Sequence, residues 1–244
     1  MPQSEEKAKR ARTLGNIASA AVLFILVPCV IALGIAVWDN RKYMIVSLII
    51  ILLSMAPFMI GFERRKPKVR ELVMLAAMIA LGVAGRAAFY MAPQFKPAVA
   101  IAMITAVAFG SGSGFVAGAM IAFVSNFIFG QGPWTPWQME AMGIIGFLTG
   151  LIFHDKAGKL PKLAPLVIFG ALATFIIYGV IADTSTIFTA NSEVSWKMLL
   201  AAYSSGVVFN LIHAAATAVF LLILARPLLK KLNRIRVKYG MLEN

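Results

Sequence analysis

The chain has 244 residues, 60% of them hydrophobic and only 14% charged, with a net charge of +13. A soluble domain is nearer about 45–50% apolar and about 25% charged, so a water-soluble enzyme, a disordered tail and a coiled coil are excluded. The class indicated is all-α, a polytopic helical membrane protein, because continuous apolar runs of about 20 residues recur and do not alternate as β-barrel strands do. The basic residues lie between the runs, so membrane topology explains the charge and no nucleic acid is needed. The single cysteine, Cys29, lies inside an apolar run and excludes an intrachain disulfide and a cysteine-based metal cluster.

Eight apolar runs follow one another at 15–38, 43–62, 71–91, 98–110, 114–130, 138–153, 164–183 and 197–229. The first follows a basic tail, 1–14. It is too long for a signal-peptide core and has no clear small-x-small cleavage site before Trp38, so it reads as an anchor. Runs 15–62 form a two-helix hairpin. The basic loop 63–70, with Glu63-Arg64-Arg65-Lys66-Pro67-Lys68, separates it from a six-helix core at 71–229, and a second basic tail spans 230–244. The short middle runs are expected to face protein or a watery cavity rather than lipid.

Orientation follows from Lys and Arg. With the N-terminus inside and eight alternating spans, 18 of the 23 basic residues fall on the inner side. The outer side receives Arg41, Lys42, Arg86, Lys96 and Lys197. This satisfies the positive-inside rule and puts both termini in the cytoplasm of a multi-pass cell-membrane protein.

No G-x-x-x-x-G-K-[ST], H-E-x-x-H or G-x-S-x-G pattern occurs. No catalytic residue and no metal site is therefore assigned, and the chain is not expected to be an enzyme. Charged and amide groups inside spans are the functional candidates. Arg86, Asn126 and Glu140 all fall in the outer third and are expected to converge on one cavity, with Arg86 and Glu140 as a candidate ion pair. The structural alternatives are snorkelling for Arg86, helix-start stabilisation for Glu140 and an interhelical hydrogen bond for Asn126.

The loop Phe129-Gly130-Gln131-Gly132-Pro133-Trp134-Thr135-Pro136-Trp137-Gln138 contains a capping box, with Thr135 as N-cap, Pro136 first in the helix and Gln138 three residues on. Trp134 and Trp137 read either as membrane-interface residues or, with Gln131 and Gln138, as a lid over a planar, amide-bearing ligand. Tyr90-Met91-Ala92-Pro93-Gln94-Phe95-Lys96-Pro97 has the same character. A third outer loop runs from about Asp183 to Trp196. His213 lies about 24 Å below the outer end of the last helix at 1.5 Å per residue, too deep for a ligand at the mouth. With Asn210 it reads as an interhelical hydrogen-bonding group. Gly110-Ser111-Gly112-Ser113-Gly114 reads as a tight cytoplasmic hairpin. Ala76, Ala80 and Ala84 form a stripe of small residues four apart, which lets helix backbones approach.

From about Glu71 to Phe153 the chain resembles the substrate-binding S component of energy-coupling factor (ECF) transporters. The residues that carry this are Glu71-Leu72-Val73 leading into Ala76-x-x-x-Ala80, then Gly85-Arg86, Gln94-Phe95-Lys96-Pro97 and the long loop 129–138, which looks like the cobalamin-type members. The resemblance implies a six-helix core that binds a vitamin from outside and joins a transmembrane T component and two cytoplasmic ATPases. It implies that Ala76 and Ala80, with Ala84 on the same stripe, contact the T component. The expected substrate is cobalamin, with no bound cofactor otherwise. Arg86, Tyr90, Gln94, Phe95, Lys96, Asn126, Gln131, Trp134, Trp137, Gln138 and Glu140 are the expected substrate-binding residues. The alternatives are another vitamin or a nucleobase-like solute, a membrane enzyme acting on a lipid or prenyl chain, and an accessory protein with no ligand. The two N-terminal helices depart from the family pattern.

Overall fold

A computed structural model describes residues 43–64, 67, 69–155, 158–190 and 194–239. The first apolar run, the tail 1–14, most of the basic loop, Asn191, Glu193 and the last residues lie outside the described residues. The helices are α1 (Tyr43–Arg64), α2 (Val69–Ala88), α3 (Ala98–Phe109), α4 (Ser111–Phe129) and α5 (Thr135–Phe153). Next come α6 (Leu163–Ala173), a π-helical turn (Thr174–Tyr178), α7 (Gly179–Ala190) and α8 (Trp196–Lys238). The architecture is therefore a helical membrane protein. Among the described residues, four helices are long and apolar enough to cross a bilayer: Val69–Ala88, Ser111–Phe129, Leu163–Thr189 and Trp196–Lys238.

The short run at 98–110 becomes α3, and all twelve of its residues are buried. At 1.5 Å per residue it is about 18 Å long, well short of a hydrocarbon core of about 30 Å. Its neighbours shield it completely, as a short intramembrane helix requires. Large apolar side chains instead face outward on the longer helices, among them Val73, Leu81, Phe127, Leu151, Ile168, Leu172, Val208 and Ile223. In lipid that exposure carries no penalty.

The expected hairpin at 110–114 is tighter than its glycine content suggested. Gly110 alone links α3 to α4, and Ser111 to Gly114 are already helical. Gly110 takes a φ of 91°, a left-handed backbone that only glycine adopts without strain. Several other glycines serve packing. A methyl group at Gly114 or Gly146 would fall on the opposite glycine's carbonyl, one at Gly118 on Met142's, and one at Gly150 on the Ser111 backbone. The α4 and α5 backbones therefore touch along most of their length. Phe115 and Phe147 flank this seam and both pack on Phe58 of α1, at ring-centroid distances of 4.3 and 5.2 Å. That attaches α1 to the core.

The 11-residue α6, the π turn and the 12-residue α7 run on as one helix. The π turn inserts extra backbone and turns Tyr178 inward. The 43-residue α8 extends about 64 Å, so one end must project well beyond the bilayer. At the end of the bundle away from the α4–α5 loop, Ser113 donates to Glu71 at 3.0 Å and Asn233 to the Gly158 carbonyl at 2.8 Å. These ties hold α2, α4, the α5–α6 loop and α8 together there.

Overpacking a core costs roughly 1–3 kcal/mol, and more where the clash is with backbone. Gly146→Ala is therefore expected to lower the thermal midpoint of the detergent-solubilised protein by several degrees. Gly61→Ala, where nothing lies within 4 Å of the added methyl, should leave it unchanged or slightly raised. Equal midpoints for the two variants would show that the α4–α5 seam can relax.

Candidate functional site

A cavity of about 250 Å³ opens at the end of the bundle where α2 meets α3 and α4 meets α5. Its polar wall is formed by Arg86 from the last turn of α2, Gln94 and Lys96 from the α2–α3 loop, and Asn126 and Gln138 from facing turns of α4 and α5. Ala98, Phe129, Gly130, Trp134 and Met142 complete the near side, and Tyr178 and His213 close the far side.

Asn126 organises the wall. Its Oδ1 accepts from Arg86 Nη1 at 2.8 Å, and its Nδ2 donates to Thr135 Oγ1 and to Gln138 Oε1, both at 2.9 Å. One buried amide thus joins α2, α4 and α5. Ser125, one residue earlier, also accepts from Arg86 Nη1 and donates to the Ile121 carbonyl. The guanidinium of Arg86 lies 4.5 Å from the centre of the Phe129 ring. Its partners are therefore two neutral side chains and a ring face, rather than the carboxylate of Glu140. Glu140 is buried on α5 and does not line the cavity.

The loops are held by their own polar groups. Thr135 does not cap α5; the N-cap position is Trp134 and has no side-chain cap. Thr135 Oγ1 instead accepts from Gly132 N and donates to Gln131 Oε1 at 3.0 Å, while Gln131 Nε2 donates to the Phe123 carbonyl. Gln131 is therefore spent on loop closure and does not line the cavity. Gly130 adopts a φ of 100° at the end of α4, which lets the chain double back. In the other loop Gln94 has a φ of 55°, unusual for a residue with a side chain. Strained backbone of this kind is held only where its surroundings impose it. Lys96 Nζ donates to the Ala92 carbonyl at 3.0 Å and lies 5.3 Å from the Phe129 ring centre. Burial, and secondarily the charge of Arg86, holds the Lys96 ammonium below its ordinary pKa.

The structure thus brings Arg86, Gln94, Lys96, Asn126, Trp134 and Gln138 together around one space. It separates Tyr90, Phe95, Gln131, Trp137 and Glu140 from it. Tyr90 is 55% exposed and leans on Phe129 at 5.0 Å between rings. Phe95 packs into a ring cluster with Phe89 and Phe220. Trp137 is 3% exposed and packs on Phe188 at 5.8 Å, whereas Trp134 is 42% exposed at the mouth. Among the described residues, Val194 and Ser195 of the α7–α8 loop do not line the cavity. Asp183 is inside α7 and accepts from Asn210 at 2.8 Å.

His213 overturns the depth argument. It lines the cavity and meets Tyr178 edge-on at 4.5 Å between rings. Counting rise along α8 from the surface placed it too deep, because the cavity descends between the π turn and α8. Neither Tyr178 nor His213 shares a polar motif with the other lining residues. The signal available was a histidine in an otherwise apolar span. Among the described residues no group of His, Cys, Asp and Glu is placed to hold a metal ion.

Asn126→Ala would strand the partners of a buried amide, at a cost of about 1–3 kcal/mol. It should lower the thermal midpoint and weaken ligand binding about tenfold or more in calorimetry. Trp134→Ala should weaken binding several-fold with little change in stability, and Trp137→Ala the reverse. If Trp137→Ala lost binding at unchanged stability, the ligand would reach past the cavity as drawn.

The family model described as ECF-type riboflavin transporter, S component, matches residues 66–234. No curated protein and no solved structure gives a significant match. The matched region begins in the basic loop and covers α2 to most of α8, so it contains every residue that lines the cavity. The protein is a multi-pass membrane transport subunit rather than an enzyme, and it belongs to the S-component family of ECF-type riboflavin transporters.

Proposed function

We propose that this chain captures a vitamin-type solute from outside the cell and delivers it through a complex with a transmembrane T component and two cytoplasmic ATPases. The observation that carries this reading is the polar-walled cavity at one end of a lipid-facing helical bundle, in a chain of an S-component family. The cavity end is the outer end on this reading. Of the described basic residues, Arg86, Lys96 and Lys197 sit towards it, while Arg70, Lys159, Lys162 and the basic last turns of α8 sit towards the other. The positive-inside rule then puts the latter in the cytoplasm.

Riboflavin is the first ligand proposed. The family points to it, and a cavity of about 250 Å³ suits a flavin better than a corrinoid several times its size. Drug-sized ligands occupy roughly 300–1,000 Å³. Cobalamin is the second reading, carried by the resemblance of the loop 129–138 to cobalamin-type members, and it would require Trp134 at the mouth to swing aside. Calorimetry of the purified chain with riboflavin and with cyanocobalamin, without nucleotide, separates them. Saturable riboflavin binding is expected. Binding of cyanocobalamin alone selects the second reading, and binding of neither removes the capture role from this cavity.

For the T component we propose the face of α2 that carries Ala76, Ala80 and Ala84. All three are exposed, while Leu75, Met78 and Gly82 point inward, so the stripe is not used for packing within the described residues. A bulky side chain there would hold a partner helix away and forfeit close dispersion contacts. Ala80→Trp is expected to abolish co-purification with a T component and transport. Ligand affinity of the solitary chain should change less than about threefold, under 1 kcal/mol. A complex that survives while ligand binding is lost would overturn the assignment.

A further inference from the structure

The cavity is positively charged in a way that solute capture alone does not explain. Arg86 and Lys96 bring two cations to one wall, and no carboxylate is among the lining residues. Both lie over the same aromatic ring, Arg86 Cζ at 4.5 Å and Lys96 Nζ at 5.3 Å from the centre of Phe129. Like charges this close, partly withdrawn from water, repel each other. Lys96 registers that repulsion, since the Arg86 charge adds to burial in lowering its hold on its proton.

What holds the pair together is neutral. Arg86 donates through Nη1 to Ser125 and Asn126, and Lys96 donates to the Ala92 carbonyl. The ring face adds a cation–π attraction. These contacts engage one nitrogen of the guanidinium and leave Nη2 and Nε without a hydrogen bond to the described residues. The ammonium has three donors and uses one. If the role of these side chains were only to close the loop, neutral donors would serve without mutual repulsion. The unspent donors are of the kind that bind anionic oxygen, through charge-assisted hydrogen bonds.

We infer that the cavity takes its ligand by an anionic group, a phosphate or a carboxylate, held between Arg86 and Lys96 beside Phe129. This rests on the reading of the cavity as the capture site and sharpens it. Among heterocyclic ligands of similar size, one that carries such a group is selected over its neutral counterpart. A phospholipid headgroup has the same chemistry, so the test must separate a soluble ligand from lipid.

Riboflavin and flavin mononucleotide differ by one phosphate and serve as the probe pair, with inorganic phosphate as the bare anion. Calorimetry is done on the full chain in phospholipid-free detergent, and phosphorus NMR line broadening reports inorganic phosphate. The wild type is expected to bind flavin mononucleotide about tenfold or more tighter than riboflavin, the range of a hydrogen bond to a charged group. Lys96→Met should remove that preference and the line broadening, while Lys96→Arg, which keeps the charge, should retain both. Thermal midpoints of the two variants, compared with wild type, show that each is folded. A preference unchanged in Lys96→Met overturns the inference. So does equal binding of the two flavins with no phosphate effect, and in that case the riboflavin reading stands. Phosphate broadening that depends on Lys96 with no flavin binding keeps the anion site and removes the flavin. Absence of both removes both. A Lys96-dependent signal confined to nanodiscs containing phosphatidylglycerol assigns the site to lipid and overturns the inference as stated for a soluble ligand.

Discussion

The contact between the backbones of α4 and α5 governs much of the rest of this structure. Gly114 and Gly118 on one helix and Gly146 and Gly150 on the other remove the side chains that would hold the axes apart. In a bilayer, where apolar side chains gain nothing by leaving lipid for one another, such close approach is a main source of helix association. The seam also supplies rigidity, because each contact is with a carbonyl or an amide that cannot rotate out of the way.

That rigidity is felt at the cavity. Asn126 leaves α4 one helical turn before Gly130, and it can reach both Thr135 and Gln138 only because α5 lies so close. The wall is then set by a pair of helices that cannot slide, while Arg86 and the α2–α3 loop are added from one side and Tyr178 and His213 from the other. Binding groups supported by fixed helices keep their geometry better than groups carried on loops alone. The π turn before Gly179 plays a complementary part, since it directs Tyr178 to the cavity at the cost of regular helix hydrogen bonding.

The fold was legible in the sequence because lipid leaves few choices: backbone groups must be satisfied within a segment, so long apolar runs become helices. Even the short run at 98–110 announced its burial by its length. The cavity was legible where polarity stood out against apolar spans, as for Arg86, Asn126 and Gln138, and where loop chemistry drew attention to Gln94, Lys96 and Trp134. It was not legible for Phe129 and Met142, which look like any lipid-facing or core side chain. Tyr178 depends on a π turn that no periodicity reveals. Trp134 and Trp137 carry the same side chain three residues apart, and only the position at which α5 begins separates a mouth residue from a core residue. Of the seam glycines only Gly114 entered the sequence reading, as part of a turn, and Gly118, Gly146 and Gly150 did not, since a G-x-x-x-G spacing names no partner until the second helix is placed.

The burial of α3 bears on how the chain is assembled. A helix of twelve residues, all of them covered by protein, has no surface of its own to offer to lipid. It is too short to settle across the hydrocarbon as an independent span during synthesis. Gly110 joins it to α4 with no slack, so the two must enter the membrane as one hairpin. The α4 side of that hairpin is closed when the glycines of α5 emerge from the ribosome, but the α3 side stays open until α8 follows. Up to that point α3 is a client awaiting its enclosure, and α8, the last helix to be translated, is the one that completes its burial through Phe220, Leu221 and Ala225.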